Sequence, residues 1–217
     1  MDITPENKQV ILATAYFPPI EYFACLVKYR NVLIDLHETY PKQTWRNRCM
    51  IISGNGPVNL SVPVEKPKGN RTKTFEVRVS NHNFWQKNHW RSIESAYSNA
   101  PYFIYYKELV QDLIINANVD MLAQMNNSIL QQLCKELSVS TPISYADDFI
   151  TDTALYQDMR FCISPKDRYQ TGDKQLDFKP YYQVFDERWG FQPNASILDL
   201  LFNVGPDTVE YIKGISD

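Results

Sequence analysis

The chain has 217 residues, 44% of them hydrophobic, enough to bury one sizeable core as a single domain spanning 1–217. Its 22 basic and 25 acidic residues nearly balance, so the strongly basic signature of a nucleic-acid binder is missing and no nucleic-acid partner is expected. No run approaches the roughly eighteen apolar residues of a membrane span, and the opening MDITPENKQV lacks the basic-then-apolar profile of a secretory signal, which predicts a cytoplasmic protein.

Val10–Ala15 is short, apolar throughout and stopped by Pro18-Pro19, the pattern of a buried strand. Ile20–Arg30 is apolar on almost every side and predicts a covered helix; Val32–Leu36 is a second β-branched run. Strand, helix, strand in that order predicts a parallel βαβ unit. Tyr16–Pro19 and Asp35–Tyr40 then leave the same, carboxyl edge of the sheet, where ligands of open α/β sheets bind.

Cys49–Ile52 and Val58–Val64, joined through Ser53-Gly-Asn-Gly56, predict a hairpin. Glu65–Lys73 is an exposed loop, and Thr74–Ser80 alternates as a strand with Phe75, Val77 and Val79 on one face. Ser80 or Asn81 is placed to cap a helix carrying Trp85, His89, Ile93 and Tyr97; further helices follow over Tyr102–Asn116 and Val119–Leu137. Ser140–Ile150 is a short extended segment. Thr151–Asp177 is polar and irregular, with Ser164–Lys174 a mobile loop candidate. Tyr181–Phe185 has strand character, Ser196–Val204 is a helix ended by Gly205-Pro206, and Asp207–Lys213 adds a last turn or two. The expected class is α/β, a mixed sheet begun by the βαβ unit with the helical middle section packed on it.

Chemistry is harder to read. No cofactor is specified: with seven glycines there is neither GxGxxG nor GxxxxGK[ST]. Cys25, Cys49, Cys134 and Cys162 are scattered, and no histidine is spaced with a cysteine pair, so reduced thiols rather than a metal site are expected. The densest polar run is Asp35–Arg48. There His37, with Asp35 or Glu38 as its partner, has the makings of a general base, or is a solvated strand end. Arg46, Asn47 and Arg48 suit a carboxylate or phosphate, or else make surface pairs; Gln43 and Lys42 join them as orienting and anion contacts. Tyr16 and Tyr22 are candidate pocket walls beside the Pro18-Pro19 turn. His89 reads as a packed histidine, Cys49 as core, and Ser196 with Asp199 as a near capping box.

Several phrases together resemble the WbqC-like family of bacterial proteins: AYFPPIEYF (15–23), HETYPKQTWRNRC (37–49), LSVPV (60–64), HWRSIESAYSNAPYF (89–103), YYQVF (181–185) and GFQPNASILDLLFNVGP (190–206). The first motif departs from many members, with Thr14-Ala15 in place of Gln-Pro and Glu21 in place of a glycine. The resemblance implies a role among surface-polysaccharide (O-antigen-like) genes, as a glycyl or aminoacyl transferase or a related one. Anion recognition by Arg46, Asn47 and Arg48 suits a small substrate that is anionic or nucleotide-linked. A non-catalytic ligand-binding or assembly protein of the cell envelope is the alternative.

Overall fold

The structure, a computed structural model, describes residues 9–80, 82–116, 119–165 and 176–216. Strand β1 (Gln9–Ala13) has Val10, Ile11 and Leu12 fully buried, as an unbroken apolar run requires when both faces of a sheet are covered. Helix α1 (Ile20–Lys28) begins directly after Pro19, whose fixed φ of -66° suits the position, and buries six of its nine residues. Strand β2 (Asn31–Asp35) returns parallel to β1, with Gln9 opposite Asn31 and Ala13 opposite Asp35. The βαβ unit is therefore as the sequence predicts.

Strands β3 (Arg48–Ser53) and β4 (Gly56–Ser61) form the antiparallel hairpin. Gly54-Asn55 makes the corner, and Gly56 takes the left-handed φ of 96° that a side chain would resist. Strand β5 (Val64–Glu65) pairs antiparallel with β6 (Arg78–Val79). The strand expected over Thr74–Ser80 shrinks to those two last-named residues. Thr74 and Phe75 donate their N–H groups to the Glu38 and Leu36 carbonyls, and Thr74–Glu76 closes into a 3-10 turn. Phe75 is thereby 42% exposed instead of buried with Val77 and Val79.

Helix α2 (Trp85–Tyr97) starts later than the expected cap. Asn83 (φ 74°) and Phe84 (φ 48°) both turn left-handed, and no side chain caps it; Asn81 lies outside the described residues. Helices α3 (Phe103–Ile115) and α4 (Leu122–Glu136) follow as expected, with Leu122, Met125, Ile129, Leu133 and Leu137 buried along one stripe. Strand β7 (Ile143–Tyr145) joins β2, and β8 (Tyr156–Asp158) joins β1, both parallel, giving the order β7-β2-β1-β8. This four-stranded sheet is wholly parallel; antiparallel pairing sits in the two separate two-stranded sheets. Most of Ser164–Lys174 lies outside the described residues.

No strand forms at Tyr181–Phe185. That segment is an irregular strap leading into helix α5 (Asp186–Trp189), its ring of Phe185 against Gly54 and that of Trp189 against Gly56. Helix α6 (Ile197–Val204) is capped by Ser196, whose Oγ accepts from the Leu198 N–H. Asp199 does not complete a capping box. Buried at 0% exposure, it accepts from Tyr97, Tyr181 and Gln183 and ties the strap to the core. Helix α7 (Thr208–Ser216) packs on α1, where Lys28 Nζ donates to the Ser216 carbonyl at 3.0 Å.

Candidate functional site

The carboxyl ends of β1, β2 and β8 converge on one edge. The turn after β1 meets the polar stretch after β2 directly: the Tyr16 N–H donates to the Trp45 carbonyl at 2.9 Å. The chain passes from β1 to β2 on one side, whereas β8 on the other side comes from far along the sequence. The crevice between β1 and β8 therefore sits where connections diverge, the position at which parallel sheets bind ligands. Thr14, Tyr22, Trp45, Arg46, Arg160 and Ile163 line it, around a space of about 10 Å³, room for one water. Asn126 braces its wall, donating to Thr14 Oγ1 at 3.1 Å and to the Arg46 carbonyl at 2.8 Å. Asn126 Oδ1 and Trp45 Nε1 are buried without a hydrogen-bond partner among the described residues.

Two arginines fix this edge. Arg46 forks onto Glu38 (Nε to Oε1 2.5 Å, Nη2 to Oε2 2.7 Å), and each residue is only 2% exposed. Arg46 Nη2 also reaches the Arg160 carbonyl at 3.2 Å. Arg160 donates to Asp35 Oδ2 (2.5 Å), to both oxygens of Asp158 (3.0 and 2.6 Å) and to the Ile150 carbonyl (2.9 Å). Burial alone would raise the Asp158 carboxyl, but the bonds and charge of Arg160 outweigh it and hold the group below its ordinary value. Two guanidinium groups thus face three carboxylates, and Arg46 and Arg160 are neutralised from within.

The structure separates the residues singled out in the sequence. Asp35 Oδ1 accepts from the backbone N–H of His37 at 2.7 Å, so Asp35 holds the chain there and not the imidazole. The ring is oriented instead by the Ala146 carbonyl, 3.0 Å from Nε2. Since a carbonyl only accepts, Nε2 carries a proton, which leaves Nδ1 as the nitrogen with the lone pair in the neutral tautomer. The ring also packs on Phe75, with centroids 5.1 Å apart. Glu38 belongs to Arg46. Asn47 is structural, its Nδ2 donating to the Val62 carbonyl at 2.8 Å. Lys42 and Gln43 are exposed, with Gln43 at a left-handed φ of 59°.

Of the two tyrosines, Tyr22 lines the crevice and donates to the Ala13 carbonyl at 3.0 Å. Tyr16 is buried elsewhere, its hydroxyl 3.0 Å from His89 Nδ1 beside the Trp85 ring. Burial pushes His89 down to about 4, against the opposing bond to the Ser61 backbone. His89 is therefore the neutral, packed histidine that its spacing predicts, and Tyr16 donates to it.

Arg48 is different from its neighbours. It makes no ion pair among the described residues, and its Nε is buried without a partner. It stands beside Tyr40, whose hydroxyl is pushed up to about 12 by burial, with the Arg46 and Arg48 charges opposing.

Sequence reading missed Asp158, Arg160, Phe149 and Phe161. Arg160 stacks over Phe149, 4.6 Å from its centroid, and lies 5.9 Å from that of Phe161, which Arg46 approaches at 5.8 Å. The available signal was Asp158-Met-Arg160-Phe161, an acid–base pair with an aromatic neighbour inside a polar run. Among the described residues no three His, Cys, Asp or Glu side chains gather as a metal site would require. No helix is long and apolar enough to cross a membrane among those residues.

A parallel α/β fold with carboxylate-locked arginines at its carboxyl edge is the class of protein that these features define. The chain belongs to the WbqC-like protein family, which it matches over residues 14–164. It is also similar to the uncharacterized protein Rv1507c of Mycobacterium tuberculosis (strain ATCC 25618 / H37Rv), at 26% identity over 227 residues covering 95% of this chain and 98% of that protein. No solved structure matches the chain.

Proposed function

We propose that the protein is a cytoplasmic transferase that takes a small, anionic activated substrate at its carboxyl edge, in bacterial surface-polysaccharide assembly. The observation that carries the proposal is the charge bookkeeping of the three arginines. Arg46 and Arg160 are engaged by Glu38, Asp35 and Asp158, whereas among the described residues Arg48 has no carboxylate partner and an unsatisfied, buried Nε. A buried guanidinium donor left open is an anion contact in waiting. His37 is the base in this reading, acting through Nδ1, with Asp35 fixing its backbone and Ala146 its ring. Membership in the WbqC-like family supports the polysaccharide setting; aminoacyl or glycyl transfer is the group chemistry that fits it.

One observation favours a second reading, a non-catalytic ligand-binding or assembly protein of the envelope. Asp35 and Glu38 are locked in ion pairs, so neither is placed to exchange a proton with a substrate. A thermal-shift panel of nucleotides, nucleotide-sugars, glycine and coenzyme A separates the two when followed by turnover assays. Stabilisation by one compound, lost in Arg48→Ala, together with turnover lost in His37→Ala, is the expected result. Binding without turnover leaves the second reading, and a full-turnover His37→Ala variant removes the base.

A further inference from the structure

Phe149 and Phe161 are 37% and 43% exposed, unusual for phenylalanine, and one guanidinium holds both: Arg160 lies 4.6 Å from the first ring centroid and 5.9 Å from the second. Arg160 also donates to the Ile150 carbonyl at 2.9 Å, and the Ile150 N–H reaches Asp35 Oδ2 at 3.4 Å, which pins the backbone beside Phe149 to the ion-pair layer. The surroundings of the two rings are acidic. Beneath them three carboxylates face two guanidiniums, an excess of one negative charge, and the Asp158 side chain in that layer is 30% exposed. Around them, Asp147 and Asp148 precede Phe149 and Asp152 follows it, all exposed and none in an ion pair among the described residues. Asp148 and Asp152 accept the backbone N–H groups of Phe149 and Ala154, bonds that leave their charge unopposed. From residue 136 to residue 159 the sequence has five acidic residues and no lysine or arginine, although the net charge of the whole chain is only -3.

We infer that this surface docks a basic, amphipathic segment of a partner protein, whose apolar side chains cover Phe149 and Phe161 while its lysines or arginines meet Asp147, Asp148 and Asp152. Exposed aromatic rings flanked by charge are the anatomy of a protein interface, an apolar centre with a polar rim. Because the rings are held by a buried guanidinium, little conformational freedom is lost when they are covered. The aspartates set the sign of the occupant: they attract a cationic segment and repel an anionic lipid surface or a nucleic acid. The partner must bring its own scaffold, since the crevice at this edge has a space of about 10 Å³, room for one water and not for a small organic ligand. Arg48 takes no part in this surface, so the inference stands or falls independently of the anion site.

Fluorescence anisotropy on the full chain tests this with a labelled helical peptide about 14 residues long, leucine on one face and lysine on the other, against its counterpart with glutamate for lysine. The lysine peptide should bind about 10-fold or more tightly than the glutamate peptide, and should weaken about 3- to 30-fold as salt rises from about 0.05 to 0.5 M. Asp147→Asn combined with Asp148→Asn keeps the acceptor for the Phe149 N–H and should weaken binding about 3- to 10-fold. Phe149→Ser and Phe161→Ser, with melting curves to check folding, should each weaken it about 5-fold or more. Glu108→Gln on α3, which removes a carboxylate elsewhere, should leave it unchanged. Equal binding of both peptides, no binding of the lysine peptide, or full affinity in the aspartate and phenylalanine variants overturns the inference. Displacement of the peptide by an equal concentration of cadaverine makes this a small-cation site and overturns the protein partner. A gain of about 10-fold or more in peptide affinity on changing Lys166 and Arg168 to serine gives the surface to the chain's own segment and overturns it likewise.

Discussion

Asp35 and Arg160 stand 125 positions apart in the chain, yet Arg160 Nη1 lies 2.5 Å from Asp35 Oδ2, across the end of β1. The pair joins the outgoing ends of β2 and β8, with side chains 0% and 4% exposed. Truncating one member leaves the other as a buried, unpaired charge. Arg160→Ala is therefore expected to cost about 3–5 kcal/mol in urea-induced unfolding. Asp35→Asn added to it should cost much less than the sum of the two single changes, because the second change removes the stranded charge.

Glu21 gives a pH test with a definite sign. Burial raises its carboxyl from 4.5 to about 7, opposed by a bond to the Asn194 side chain. A raised folded-state value means that its contribution is fully present below pH 4.5 and is lost as pH rises through 7. Glu21→Gln should accordingly match the parent at pH 4 and exceed it by about 1–3 kcal/mol at pH 8, read from thermal or urea melts. Equal stabilities at pH 8 would show the carboxyl to be solvated.

His89 acts at the other end of the scale. Its folded-state value is depressed to about 4 from 6.5, so its contribution is present above 6.5 and is lost as pH falls toward 4. His89→Gln keeps an acceptor for Tyr16 and removes the titration. The variant should lose less stability than the parent between pH 6.5 and pH 4, by about 2–3 kcal/mol.

Gly205 is at φ 63°, and a Cβ there would come within 2.4 Å of the Tyr102 ring. Tyr102 is held in place by its N–H bond to the Phe202 carbonyl at 2.9 Å. Steric overlap and the left-handed backbone act together, so Gly205→Ala is expected to cost about 2–4 kcal/mol in equilibrium unfolding.

What the sequence made legible follows from where its signals are local. Val10–Ala13 and Val32–Ile34 declare themselves by unbroken apolarity, and Gly205-Pro206 by its backbone chemistry. The stripe of α4 is equally plain, because five apolar residues recur at helical spacing. Tyr156–Asp158 carries no such mark: three partly polar residues become a strand only because β1 offers an open edge. Tyr181–Phe185 has the opposite fate. Its side chains find Asp199 and the hairpin tip before its backbone finds a strand. At the site, Asp35, Glu38 and Arg46 were visible as a polar run, but their burial depends on Arg160 arriving from a distant segment.

The late arrival of β8 has a bearing on how the chain is made. A ribosome releases β1, α1 and β2 long before Tyr156–Asp158, so for most of synthesis the nascent sheet has an unpaired flank and Asp35 lacks its counter-charge. Closure of such distant contacts is slow, because the intervening loop must first be brought together. The last strand of the sheet and its arginine therefore arrive late: fragments ending before residue 160 are expected to persist as chaperone clients.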